Sequence, residues 1–294
     1  VTDEPRRAAI ETYRYLRVGI VALAVLLMLS VLNQVISDGQ LLGSISAYYY
    51  TPARDVFVGI LFALGLGLVV IRGRGVEDVL LNLAGMLAPV VAVVPTTAAS
   101  GWFAYAPLAG GPAPYLDVGP VGTNAIWSLI ALGVLGVSFA GITAVRRTGV
   151  VRARAVRGVL AGGIGVLAFA GWLTVDEDSF FAAAHYVAAA GMLGLFVVVA
   201  RFNAASARDT DAPVVAMLPA RRRRAAYSAI SWSMLGTVVV AGLLGLLQLA
   251  GSIPIPHWLF WAEAIVLTLF AAFWVLQTIE YWRDGVPLDS GPAG

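Results

Sequence analysis

The chain has 294 residues, 60% hydrophobic and 12% charged, with a mean hydropathy of +0.85. Soluble domains carry about 25% charged residues, so an ordinary soluble fold is excluded and an all-α polytopic membrane protein is predicted. The net charge is +2, every one of the nineteen basic residues is arginine, and there is no cysteine, which excludes disulfides, thiolate metal sites and thiol nucleophiles.

A helix needs roughly twenty apolar residues to cross about 30 Å of hydrocarbon. After a polar start holding Arg6, Arg7 and Arg14, an apolar run covers about 15–36 with no small-residue cleavage site, which reads as a retained first span. The segment Ser44-Ile-Ser-Ala-Tyr48-Tyr49-Tyr50-Thr51-Pro-Ala-Arg54-Asp55 comes next, polar and aromatic, ahead of a short second span at 55–71. Thr51-Pro52 fits an N-cap with proline in the first turn. A third span, 79–97, starts beside Glu77 and Asp78 and finishes in Pro95-Thr96-Thr97.

Residues 98–123 form a long loop rich in glycine and proline, the kind of segment that serves as a lid or binding loop. Spans at 124–145 and 158–175 lead to the acidic Asp176-Glu177-Asp178, and 181–200 carries His185. A basic loop, 201–227, with Arg221 to Arg224, separates it from spans at 228–249 and 258–281, the last containing Glu263. The tail from 284 onward reads as disordered. Eight spans in one membrane domain are expected, with seven and a re-entrant segment as the alternative. Small residues at four-residue spacing, Gly59, Ala63 and Gly67, and Gly158 with Gly162, predict close helix packing within the chain or, as an alternative, a homo-oligomer face.

With eight spans, eighteen arginines share one face and Arg54 alone lies on the other. The positive-inside rule makes the arginine-rich face cytoplasmic, puts both termini inside and points to the plasma membrane. It also explains the basic balance without nucleic acid, which is not expected as a partner.

Ionisable groups inside spans are costly and are default site candidates. Arg54, Asp55, His185 and Glu263 all fall in the outer half, and Tyr48, Tyr49 and Tyr50 stand beside them, so these seven form the candidate ligand-binding set. Each has a plainer explanation: Asp55 favours a helix N-terminus, His185 packs as a hydrogen-bonded side chain, and Arg54 snorkels to lipid phosphate or pairs with Glu263. Glu263 is harder to dismiss, because a carboxylate at that depth must be protonated or paired. The expected ligand is a membrane lipid or small amphiphile.

Catalytic signatures are sparse. No G-x-S-x-G, H-E-x-x-H or Walker A motif is present, and His185 and His257 are too few for a three-histidine zinc site, so neither metal nor cofactor is expected. A lipid hydrolase using His185 as base, Ser46 (or Ser44) as nucleophile and Asp178 (or Asp176) as the acid is one alternative. A transporter coupling Glu263 to Arg54 is another.

The stretch Ser44 to Thr51 with Arg54-Asp55-Val-Phe-Val-Gly59, then Asp78, Ala84-Gly85, Pro95-Thr96, His185-Tyr186 and Phe260-Trp261-Ala-Glu263, resembles a family of uncharacterised prokaryotic multi-pass proteins known as a domain of unknown function. The similarity covers about two-thirds of the chain. It implies an outer-face cluster of Arg54, Asp55, His185 and Glu263, and marks about 120–178, with spans four and five, as an inserted helical hairpin. A remoter similarity is to ceramidase and adiponectin-receptor-like membrane hydrolases, whose His-x-x-x-His zinc motif this chain lacks.

Overall fold

The structure, a computed structural model, describes residues 4–71, 73, 75–94, 96, 118–206, 219–250 and 257–282. They form eight α-helices and one short 3-10 helix: α1 (Glu4–Asp38), η1 (Ser46–Tyr50), α2 (Arg54–Val70), α3 (Val76–Val93), α4 (Val118–Val145), α5 (Gly149–Val175), α6 (Glu177–Ser206), α7 (Ala220–Leu249) and α8 (Trp258–Glu280). Helices are the local solution because hydrocarbon offers no water to backbone amides and carbonyls, so each apolar run must satisfy its own. Seven of the eight are long and apolar enough to cross a membrane. The other, α2, has 17 residues, about 25 Å of helix, a mismatch that a bilayer absorbs by local thinning.

Six helices close a circuit, α1–α2–α3–α6–α7–α8 and back to α1. The hairpin of α4 and α5 lies outside it, the two helices packed on each other and only lightly on α3 and α6. Its outward faces carry Leu135, Phe139, Ile164 and Leu167, all exposed in the isolated chain, as lipid-facing residues should be. Phe270, Phe273 and Trp274 of α8 fill the middle of the circuit, edge-on to one another and to Phe196 of α6 and Tyr227 of α7.

The two ends differ in charge. Where α1, α3, α5 and α7 begin and α2, α4, α6 and α8 finish, all the described arginines except Arg54 are found. An arginine-rich end of this kind is the one the positive-inside rule expects to face the cytoplasm, and α1 begins and α8 finishes there. The helices overrun the apolar windows on this side: α1 starts at Glu4, and residues 201–206 and 220–227 of the expected basic loop extend α6 and α7. Polar turns of helix are stable in water and headgroups, and hydropathy registers only their apolar continuation. Residues 118–123 of the expected lid loop likewise belong to α4, while 98–117 lie outside the described residues, as do 207–218 and the tail.

Close approach is concentrated at α2 and α3. A Cβ placed on Gly85 would stand 2.6 Å from the carbonyl oxygen of Gly65, and one on Gly65 would stand 2.7 Å from that of Gly85. Pro89, inside α3, contributes to the fit, its Cδ lying 2.9 Å from the Gly65 position. Of the small residues singled out by spacing, Gly67 meets Ile20 of α1, and Gly158 and Gly162 meet Val79 and Met86 of α3, whereas Gly59 faces open space. Gly85→Ala is therefore expected to lower stability by about 1–3 kcal/mol through overpacking, and Gly59→Ala on α2 to leave it unchanged or slightly higher. Thermal unfolding monitored by tryptophan fluorescence separates the two.

Candidate functional site

The outer end is built around the strip 42–51, which leaves α1 after Gly39, at φ 63°, and must enter the headgroup region without a helix to satisfy it. α8 supplies the missing partners. The Glu263 carboxylate accepts from the backbone N–H of Ile45, from that of Ser46 at 3.3 Å, and from the Ser46 hydroxyl at 3.0 Å. One turn earlier the Phe260 N–H donates to the Gly43 carbonyl at 3.0 Å, and His257 Nδ1 lies 3.1 Å from that of Leu42. Two backbone donors and a hydroxyl on one carboxylate suit its negative charge, since charge-assisted bonds are the strong ones.

Within the strip, the fully buried Tyr48 accepts from the Leu42 N–H at 3.3 Å and tilts against Phe260. Thr51 donates to the Tyr48 carbonyl at 2.8 Å and accepts from the Ala53 N–H at 3.2 Å. Thr51 is thus a turn residue. α2 begins only at Arg54, with Ala53 as an N-cap lacking any side-chain bond, which corrects the expectation of a Thr51 cap. The Tyr50 hydroxyl donates to the Thr96 carbonyl, tying the strip to the end of α3. Burial pushes the Tyr48 phenol up, and the Tyr50 phenol to about 12, with neighbouring Tyr49 adding to the latter. Both stay protonated across physiological pH. For Tyr50 the sign is fixed: stability is fully present below pH about 10, the phenol's ordinary value, and is lost as pH rises towards 12.

Arg54 does not pair with Glu263. Its Nη2 donates to the Tyr49 hydroxyl at 2.8 Å and its guanidinium carbon stands 4.5 Å from the centre of the Tyr49 ring. Tyr49 is buried, Arg54 half-buried and Asp55 exposed. Among the described residues Arg54 has no carboxylate partner. Glu263 found backbone amides instead, donors that a scan of side-chain types does not see.

His185 is buried on α6, with Nδ1 2.7 Å from the Val94 carbonyl. The cause lies one residue on: Pro95 disfavours helical geometry before it, so α3 stops at Val93 and Val94 turns extended at φ −92°, ψ 103°. Its carbonyl is freed from the helix ladder, and His185 donates to it. Among the described residues no serine, histidine and acid assemble for hydrolysis. The Ser46 hydroxyl is taken by Glu263, Ser44 Oγ accepts from the Ala47 N–H at 3.0 Å, and Asp178 is exposed in the first turn of α6. Asp176 accepts from the Ser179 N–H at 3.0 Å, as a helix-capping group does. The described residues hold no cluster of three His, Asp or Glu suited to a metal ion.

A second polar cluster lies at the inner end, whose members the sequence marked only as Glu77 at the start of a span and Arg223 within a basic loop. Asn203 of α6 donates to Glu77 of α3 at 2.8 Å, and Gln277 of α8 donates to Glu77 at 3.2 Å and to Asn203 at 3.0 Å. Arg223 of α7 pairs with Glu280 at 2.7 Å, and the Tyr227 hydroxyl donates to the same carboxylate at 2.6 Å. Arg17 of α1 lies buried among aromatic rings nearby. Amide side chains inside apolar windows, Gln277 above all, were the available signal.

No family model, curated protein or solved structure matches the chain. The resemblance drawn from its motifs, and the activity of the whole, therefore rest on the residues alone.

Glu263→Ala leaves the Ile45 and Ser46 donors without their acceptor and is expected to cost about 2 kcal/mol, whereas Glu263→Gln, which keeps one acceptor oxygen, costs less. Denaturant unfolding in detergent measures both. A cost equal to that of a solvent-exposed alanine substitution would contradict the arrangement.

Proposed function

We propose that this multi-pass protein resides in the plasma membrane and binds the anionic head of a lipid or small amphiphile at its outer end, through Arg54. The observation that carries the proposal is the state of the guanidinium. Arg54 is half-buried, held flat by a buried tyrosine and its hydroxyl, and free of any carboxylate among the described residues. A planar guanidinium whose orientation is fixed offers paired donors to phosphate or carboxylate, and less rotamer entropy is lost on binding. Its depth at the start of α2 is that of the headgroups, and the acyl chains would lie along the apolar faces below.

Tyr49 rather than Tyr48 is the platform, because it is the Tyr49 ring and hydroxyl that meet Arg54. Asp55, exposed one residue on, would repel a second negative charge and favour a monoanionic or zwitterionic head. Glu263, Ser46 and His185 act on this reading by holding the platform, not by touching the ligand. The hydrolase alternative lacks an assembled triad, and the transporter alternative lacks the Arg54–Glu263 pair on which it was based.

Purified protein should retain anionic phospholipid, detected by native mass spectrometry after delipidation and incubation with a phosphatidylglycerol and phosphatidylcholine mixture. Arg54→Ala is expected to reduce the retained anionic lipid about tenfold, in line with the loss of one charge-assisted pair. Equal retention by both proteins would sink the proposal.

A further inference from the structure

The cytoplasmic end holds a buried cation whose donors are not used up by the protein. Arg17 is 3% exposed, its guanidinium carbon lies 4.8 Å from the ring centre of Tyr281 and 5.9 Å from that of Tyr13, and its buried Nε meets no acceptor among the described residues. A guanidinium carries five donors in a rigid fork, and a buried one without acceptors is costly. Of the nearby carboxylates, Glu77 attracts the Arg17 charge, and both it and Glu280 accept hydrogen bonds from other groups. Glu77 takes the amides of Asn203 and Gln277, and Glu280 takes Arg223 and the Tyr227 hydroxyl.

Arg14 stands one turn closer to the membrane surface on the same face of α1. Its guanidinium packs over Trp282 at 5.1 Å and donates to the Trp282 carbonyl. Residues three apart on a helix have Cβ atoms about 5–6 Å apart, close enough for two forks to share an anion bearing several oxygens. The aromatic side chains Tyr13, Tyr281 and Trp282 restrain both guanidinium planes and supply an apolar wall for whatever the anion is attached to.

We propose that Arg17, with Arg14 at its mouth, receives a phosphate-ester anion from the cytoplasmic side, between the start of α1 and the end of α8. This site is independent of Arg54, which lies at the opposite end of the bundle. Phosphate fits better than carboxylate because it offers three free oxygens to two forks and, as a headgroup, abounds at this leaflet. The same chemistry is presented by an inner-leaflet phospholipid and by a soluble phosphate, and the experiment separates them.

The full chain carrying Arg54→Gln, so that outer-end binding does not contribute, is reconstituted in phosphatidylcholine nanodiscs. It is compared with discs containing phosphatidylglycerol and with plain discs given inorganic phosphate, with thermal unfolding as the readout. Stabilisation by phosphatidylglycerol assigns a lipid, and stabilisation by phosphate assigns a soluble ligand. Either is expected to vanish when Arg17→Gln is added, and to need about tenfold more ligand with Arg14→Gln. If the Arg17 variant does not fold, the Arg14 variant alone carries the test. Absence of stabilisation by both probes, or stabilisation that survives in the variants, would overturn the site. Neither result bears on Arg54, whose binding is read in the wild-type chain.

Discussion

A carboxylate placed below the headgroups is tolerated only where donors meet it, and Glu263 is met by two backbone amides and a hydroxyl from the strip between α1 and α2. The arrangement solves two problems together. The strip is irregular backbone at the edge of hydrocarbon, and Glu263 is a carboxyl group at the edge of hydrocarbon. Each satisfies the other, and the contact draws the loop onto α8. The next residues of the chain inherit that position: Tyr49 is buried, Tyr50 reaches the end of α3, and α2 starts where the strip leaves off, with Arg54 as its first residue.

The bundle built on this clasp has polar groups at both ends and an aromatic middle. Side-chain amides and carboxylates fasten α3, α6, α7 and α8 at the cytoplasmic end, backbone and carboxylate fasten α1, α2 and α8 at the other, and Phe270, Phe273 and Trp274 pack between. In lipid the apolar faces gain little by meeting one another, so association rests on close packing and on these hydrogen bonds. The reciprocal approach of Gly65 and Gly85 supplies the first for α2 and α3. The α4–α5 hairpin has neither device in strength, consistent with its place outside the six-helix circuit.

Helix number, and the gathering of arginines at one end, were legible because length and apolarity are properties of a contiguous stretch, and arginine counts are properties of the loops between. The ends of α1, α6 and α7 were less so, since helix continues into polar sequence without any hydropathic mark. Glu263 was recognised as needing a partner, but the partner was sought among side chains and lay in the amides of Ile45 and Ser46. His185 was placed among the ligand-binding candidates with hydrogen-bonded packing as its plainer explanation, and the structure supplies an acceptor for it, the carbonyl freed ahead of Pro95. The inner cluster was the least legible part. Arg17, Glu77, Asn203, Arg223, Gln277 and Glu280 come from five helices, and nothing in their spacing announces that they converge. Charged residues near span ends are ordinarily solvated, so each taken singly looks like part of a wet helix end.

The central claim is that Glu263 holds the 42–51 strip in place and thereby presents Arg54. Amide hydrogen exchange of Ile45 and Ser46 in detergent micelles tests it most directly. The account requires slow exchange at both amides in the wild-type chain and fast exchange in Glu263→Ala, with the amides of α2 and α8 unchanged. Equal rates at Ile45 and Ser46 in the two proteins would contradict it.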